Sequence, residues 1–212
     1  MEIDLINPYT LKVLISARDS DSISSISKRI DLSYGWTHKW VEELVKEGVF
    51  KEKWRGIELQ KDNASYRQIL SFIKESLVNV RFYYSALNLF GIRYVFTKTD
   101  AVYLWTEGRY NIARYRDFYP IFVKIKKEDY ALFLEYCKKL GLKINADRGV
   151  FYSPEIVTEI ESEKKNGSYV ETLDSTILFM KENIYNFQPA LEMIQEMYKK
   201  DLNVKYREAN NL

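Results

Sequence analysis

The residues best suited to bind an anionic ligand lie between positions 93 and 127. This segment has eight Lys or Arg residues against three acidic ones, and six Tyr or Trp residues lie among the cations. Cations bind phosphate and aromatic rings stack on bases, so the pattern favours a nucleotide, a nucleic-acid backbone or an acidic partner protein. A solvated face over an aromatic core would give the same pattern. The candidate nucleotide-binding or partner-binding residues are Lys98, Arg109, Arg114, Arg116 and Asp117.

The sequence excludes several other chemistries. Its single cysteine, Cys137, excludes a disulfide framework and a cysteine zinc site, and it suits a reducing cytosol. Its single histidine, His38, excludes a histidine-rich metal site. We therefore expect neither a metal nor a cofactor, and we expect Cys137 to be a buried, inert side chain.

A second group of candidate residues depends on the elements of the first sixty positions. Asn7 followed by proline predicts a helix start, and Ser22 precedes a short second helix. Ser33 is the expected N-cap of a third helix over residues 34–47, which Gly48 ends. Over residues 49–59 the apolar period changes from 3.6 to 2, which predicts a β-hairpin.

This order of elements resembles the winged helix-turn-helix of the MarR/ArsR-like superfamily over about residues 7–60. The resemblance is carried by S-x-x-S-K-R-I-D-L-S at residues 24–33, by a buried face of Thr37, Val41 and Leu44, and by E-G-V-F at residues 47–50. It implies that the third helix enters the major groove of double-stranded DNA and that the hairpin is the wing. The implied DNA-binding residues are Tyr34, Gly35, Trp36, His38, Lys39, Lys51, Lys53 and Arg55.

Within this set the resemblance implies different contacts. The lysines would bind phosphates, Arg55 would reach the minor groove, and Tyr34, Trp36 and His38 would touch base edges or thymine methyl groups. Other interpretations stay open. Trp36 and Trp40 are helical neighbours, and such a pair commonly packs on another domain or subunit; for Trp40 we favour that interpretation. His38 alone is more simply a polar surface residue.

The charge distribution keeps a protein-binding alternative open. Residues 1–62 have 10 Lys or Arg and 11 Asp or Glu, and residues 63–212 have 22 and 19. A nucleic-acid surface must therefore be local, because neither part is strongly basic.

The remaining sequence predicts a connector and a second domain. Apolar residues at helical spacing predict one helix over residues 65–90, which Gly91 ends and which we expect to mediate dimerisation. Strands are predicted at 92–97, 120–125, 142–146 and 150–152, and helices at 100–105, 128–140, 169–181 and 189–200. The predicted fold class is α+β with a small mixed sheet. The predicted domains are residues 1–62, a connector at 63–90, and residues 91–212.

The second domain resembles the nucleotidyltransferase fold of AbiEii-like relatives. The resemblance is carried by the runs at residues 90–105, 116–123 and 126–141. An active member needs a Gly-Ser turn near the triphosphate and at least two carboxylates for Mg²⁺. This chain has Thr97 and Lys98 at the turn, and Asp117 is followed by Tyr119 where the second acid belongs. The resemblance therefore implies an inactive domain.

Together these observations predict a cytoplasmic, DNA-binding transcriptional regulator that is not an enzyme. No signal peptide or membrane span is expected. We expect a homodimer on double-stranded DNA, with the second domain serving sensing, oligomerisation or binding of a partner. One alternative is an antitoxin-like regulator that binds another protein, as the winged-helix member of AbiE-type systems implies. Another is an active nucleotidyltransferase.

Overall fold

The computed structural model of the chain describes residues 6–76, 79–112, 114–115, 117–202 and 204. It is an α+β structure with a three-stranded and a five-stranded sheet. The helices are α1 (Pro8–Ser16), α2 (Ile23–Arg29), α3 (Tyr34–Lys46), α4 (Ala64–Ser76), α5 (Val80–Ala86), α6 (Lys98–Trp105), α7 (Tyr130–Leu140), α8 (Leu173–Glu182) and α9 (Ile184–Tyr198). The strands are β1 (Ser20–Asp21), β2 (Phe50–Lys53), β3 (Gly56–Leu59), β4 (Tyr94–Phe96), β5 (Phe118–Lys126), β6 (Gly149–Val157), β7 (Glu163–Lys165) and β8 (Ser168–Val170). Short 3₁₀ helices cover Leu87–Leu89 and Lys127–Asp129.

The described residues form two compact units. The first comprises Met1–Arg93 with Ile125–Lys143, and the second Tyr94–Lys124 with Ile144–Leu212. This division differs from the predicted domains, because the 63–90 segment and α7 both group with the first unit. The contacts of α7 explain the difference. Lys139 Nζ donates to the carbonyl oxygens of Leu14 and Ala17, and the rings of Phe90 and Tyr136 meet edge to face.

The predicted helix starts of the first unit are confirmed. Asn7 caps α1 by accepting hydrogen bonds from the Tyr9 and Thr10 N–H groups, and Pro8 takes the first helical position. Ser33 caps α3 by accepting from the Trp36 N–H. These caps satisfy N–H groups that have no partner within the helix, and they fix where each helix begins.

The predicted hairpin is confirmed, and a third strand that the sequence did not predict supports it. β3 is the central strand, antiparallel to β1 on one side and to β2 on the other. Gly56 permits this arrangement, because a Cβ there would lie 2.1 Å from the carbonyl oxygen of Asp21 on β1. The strand β3 of the hairpin is therefore paired with a neighbour on each side.

The single helix predicted over residues 65–90 is wrong. α4 ends at Ser76, and α5 begins after Asn79, whose backbone is extended (φ −90°, ψ 120°). The Asn79 side chain accepts a hydrogen bond from the Arg81 N–H, which makes Asn79 an N-cap within the predicted helix. Asn favours caps over helix interiors because its short side chain competes for backbone hydrogen bonds.

The second unit contains the predicted mixed sheet, in the order β6-β5-β4-β8-β7. β4 and β8 are parallel, whereas β7 and β8 are antiparallel. The strand predicted at 142–146 is reduced to one bridge from Ile144 to Tyr152. The helix predicted from residue 169 begins at Leu173, because Thr172 caps it and the preceding residues pair in β8. α9 starts at Ile184, so Pro189 lies inside this helix and not at its first turn.

Candidate functional site

The N-terminal half of α3 presents most of the predicted DNA-binding residues at the surface. Its inward face is buried and consists of Thr37, Val41 and Leu44, as predicted. A helix turns by about 100° per residue, so other positions of α3 point away from this face. Tyr34, Gly35, Trp36 and Lys39 are exposed, and His38 is partly exposed.

One of these outward residues, Trp36, belongs to an aromatic stack. The Tyr9 ring on α1 is nearly parallel to the rings of Trp36 and Trp40, with centroids 5.5 and 5.7 Å away. Lys39 Nζ lies 5.2 and 5.1 Å from the two indole centroids. Trp36 is therefore oriented by an intramolecular contact and is half exposed, while Trp40 is more enclosed. Tyr9 was not predicted to belong to the site, because α1 lies beside α3 only in the folded structure.

His38 has a local partner on its own helix. Its Nδ1 lies 3.6 Å from Oε2 of Glu42, one turn further along, and its ring is 5.8 Å from that of Tyr34. Among the described residues, no group of three or more His, Cys, Asp or Glu side chains is placed to hold a metal ion. The position of His38 fits the polar surface residue that the sequence analysis considered.

The hairpin carries the residues that were predicted to contact phosphates, on β2 and in its connection to β3. Lys51, Lys53 and Arg55 are all exposed. Lys53 Nζ forms an ion pair with Glu58 Oε2 at 3.1 Å, and this hydrogen-bonded lysine lowers the pKa of the Glu58 carboxyl below its ordinary value. One conspicuous residue was not selected from the sequence. Trp54 at the hairpin tip is 92% exposed.

A shallow cleft in the first unit surrounds the buried amine of Lys139. Its lining includes Arg18, Lys61, Tyr66 and Glu135. Arg18 pairs with Glu135 at 2.8 Å and lowers the pKa of that carboxyl through the hydrogen bond they share. Burial lowers the pKa of Lys139 to about 8, although Glu135 opposes this effect. The Lys139 amine donates hydrogen bonds to the carbonyl oxygens of Leu14 and Ala17 at the C-terminal end of α1.

In the second unit, the structure contradicts the prediction that Arg114 is available to a ligand. Arg114 Nη1 lies 2.5 Å from Asp100 Oδ1, and the two side chains are 2% and 0% exposed. The guanidinium carbon also lies 4.6 Å from the centroid of the Tyr119 ring. Asp100 Oδ2 accepts a second hydrogen bond from the Phe122 N–H on β5. Arg114 therefore does not face solvent. It binds Asp100, the acidic residue that joins α6 to the sheet.

Three other candidates of the second unit lie in the part of the chain that the structure describes, and each is exposed. Lys98 is exposed, and its Nζ lies 3.6 Å from Glu155 Oε2. Arg109 and Asp117 are exposed as well, and the Asp117 carbonyl accepts a hydrogen bond from the Gly149 N–H. Arg116 lies outside the described residues.

A polar cluster that the sequence analysis missed lies where β4 and β8 end. Thr97 follows β4, Glu171 follows β8, and Thr97 Oγ1 donates to Glu171 Oε2 at 2.6 Å. Lys124 on β5 forms an ion pair with the other carboxylate oxygen of Glu171. Because parallel strands bring their C-terminal ends to one edge, residues 74 positions apart meet here. Glu171 and most of the strand before it were predicted to be helical, so the cluster could not be predicted from the sequence.

The backbone at Lys98 has an unusual conformation. Its φ is 53°, in the left-handed region that glycine adopts without a steric penalty, although Lys98 is the first residue of α6. It directly follows Thr97 at the end of β4.

Comparisons with known proteins identify no relative of this chain: no family model matches it, and no curated protein or solved structure does. No helix in the described part of the chain is both long enough and apolar enough to cross a membrane. Any functional assignment therefore depends on the geometry of the chain itself.

Proposed function

We propose that the chain is a DNA-binding transcriptional regulator that uses residues 7–60 as a winged helix-turn-helix. In this proposal α3 is the recognition helix and β2 and β3 form the wing. The exposed N-terminal half of α3, with Tyr34, Trp36 and Lys39 outward and Thr37 inward, is the observation that carries the proposal. A helix that enters the major groove needs such an outward set on its first turns.

The three-stranded sheet supports the same proposal. A wing must be fixed relative to the recognition helix if both are to contact one duplex, and the pairing of β3 with β1 provides that restraint. The exposed cations Lys51 and Arg55 then lie on a rigid element. Phosphate contacts from such an element set the register of the domain on the duplex.

The second unit would act as a nucleotidyltransferase-like domain without catalysis, in sensing, oligomerisation or partner binding. The left-handed backbone of Lys98 supports this resemblance, because the family has a glycine-containing turn at this position. A lysine side chain there would crowd the phosphates of a nucleotide. The exposed carboxylate of Asp117 and the buried ring of Tyr119 occupy the two positions at which the family has metal-binding acids.

A homodimer belongs to the proposal as well. Phe72 on α4 is half exposed, although α4 buries its neighbours Ile69 and Ile73. A large exposed apolar side chain beside an apolar face suits a subunit contact. Light scattering coupled to gel filtration measures the expected dimer, and a monomeric Phe72→Glu variant would assign the contact to α4.

The decisive experiment is fluorescence anisotropy with the duplex upstream of the protein's own gene and with an unrelated duplex, each over a salt series. We expect tighter binding to the upstream duplex and a steep decrease of affinity with salt, because phosphate contacts release counterions. Equal, weak binding to both duplexes would contradict the proposal.

The aromatic stack favours one alternative, a regulator of the antitoxin-like type that binds another protein through α3. Tyr34 and Trp36 are both exposed aromatic residues of α3, and Tyr, Trp and Arg are enriched in protein interfaces. Co-purification of a stoichiometric partner that is released by Trp36→Glu, together with absent DNA binding, would favour this alternative.

A further inference from the structure

Among the described residues of the first unit, Trp54 is the most exposed large apolar side chain, and it lies at the tip of the hairpin. Lys53 pairs with Gly56, so Trp54 and Arg55 form a two-residue connection between β2 and β3. Such a short connection sets the register of the two strands. The Trp54 side chain is 92% exposed.

The tip that carries Trp54 is also rigidly supported. β3 is hydrogen-bonded on both sides, and its first residue, Gly56, lies so close to Asp21 that no other residue fits there. The backbone that carries the indole is thus held by strand pairing and is not a loose loop. A backbone that is already ordered loses little conformational entropy on binding, which favours a stacking contact.

The neighbours of Trp54 indicate what it binds. Arg55 directly follows it, and Lys51 and Lys53 lie on the strand that leads to it. Two acids share the hairpin, Glu52 and Glu58, and Glu58 is already paired with Lys53. A flat apolar ring between exposed cations matches a nucleobase flanked by phosphates, whereas an apolar protein pocket would be poorly matched by the cations.

We propose that Trp54 is a wedge that inserts between stacked base pairs in the minor groove of duplex DNA. This inference rests on the proposed DNA-binding function and goes beyond it, because it assigns base contact to the wing tip. Apolar side chains inserted from the minor groove unstack a base step and bend the duplex. Pyrimidine–purine steps deform most easily, so the wedge favours a TA or CA step at its position.

The test compares Trp54→Ala and Trp54→Phe with the wild-type chain on one duplex. We expect Trp54→Ala to raise Kd by roughly tenfold to a hundredfold, as loss of base stacking does, and Trp54→Phe to raise it less because a ring remains. Neither change removes a phosphate contact, so the dependence of Kd on salt stays unchanged. Tryptophan fluorescence of the wild type falls on binding, and Trp54→Phe lacks that part of the decrease.

Tyr185→Ala is the matched control, because Tyr185 is a similarly exposed aromatic residue of the second unit. The Kd of this variant should equal that of the wild type. If Trp54→Ala binds as tightly as the wild type while binding remains salt-dependent, the wedge is refuted and the DNA-binding function stands. If neither the wild type nor Trp54→Ala binds duplex DNA in a salt-dependent manner, both the wedge and the DNA-binding function are refuted. The minor-groove wedge would also be refuted if the wild type bound single-stranded DNA more tightly than the duplex and this binding depended on Trp54 in the same way.

Discussion

Arg114 and Asp100 form an ion pair from which water is almost completely excluded. Their side chains are 2% and 0% exposed, and Asp100 also accepts the N–H of Phe122. A pair of this kind contributes little net stability relative to apolar side chains, but removing one partner leaves a charge in a site without solvent. Its role is to fix α6 against β5.

Arg114→Ala should therefore lower the free energy of unfolding by about 3–5 kcal/mol, because Asp100 would keep a buried, uncompensated charge. Urea denaturation measures the change. Arg109→Ala is the control, since the Arg109 side chain is exposed and its loss should change the free energy by less than about 0.5 kcal/mol. Equal effects of the two substitutions would show that the Arg114 pair is not structural.

Features that depend on neighbouring residues could be predicted from the sequence, whereas the pair of Arg114 with Asp100 could not. The caps Asn7 and Ser33 and the hairpin at 49–59 were predicted because they depend on residues a few positions apart. Arg114 looked like a surface cation, because nothing in its local sequence reveals that it pairs with Asp100. Burial of a charged side chain is decided by tertiary packing, and no local pattern reports it.

The candidate site follows the same rule. The outward positions of α3 were predictable from helical period, since Thr37, Val41 and Leu44 define the inward face. The stack of Tyr9 on Trp36 was not, because α1 and α3 meet only in the folded chain. The contact between Thr97 and Glu171 could not be predicted either, because most of the strand β8 was predicted to be helical.

The Lys139 amine should make stability depend on pH. Burial lowers its pKa to about 8 in the folded state, whereas the unfolded value is 10.5. Between these values the unfolded chain binds more protons than the folded chain, so stability rises with pH. Relative to Lys139→Met, we expect the wild type to gain on the order of 2 kcal/mol between pH 7.5 and 10.

Urea denaturation at several pH values measures this gain, and Lys138→Met serves as the control. Lys138 is the exposed neighbour on the same helix, so its variant should follow the wild-type profile. Parallel profiles for the wild type and Lys139→Met would show that the amine is solvated.

The hairpin cations should account for part of the salt dependence of DNA binding. Each phosphate contact changes the slope of log K against log salt by about 0.9. We expect Lys51→Ala and Arg55→Ala each to reduce the slope by about this amount and to weaken binding equally to every sequence. Anisotropy titrations from low to moderate salt give the slopes. Lys74→Ala on α4 is the control, and the groove assignment is wrong if all three variants keep the wild-type slope.

The stack of Tyr9 on Trp36 and Trp40 should hold the recognition helix in place. Stacked aromatic pairs each contribute about 0.5–1.5 kcal/mol beyond the area they bury, so Tyr9→Ala should lower the free energy of unfolding by about 1–3 kcal/mol. Tyr9→Phe retains the ring, so its free energy of unfolding should resemble that of the wild type. Tyr34→Ala is the control, because it removes an exposed ring that does not stack on either indole. Because Tyr9 orients Trp36 without touching phosphate, Tyr9→Ala should weaken DNA binding at an unchanged salt slope. If Tyr9→Phe proves as destabilised as Tyr9→Ala, the phenol hydroxyl and not ring stacking is responsible.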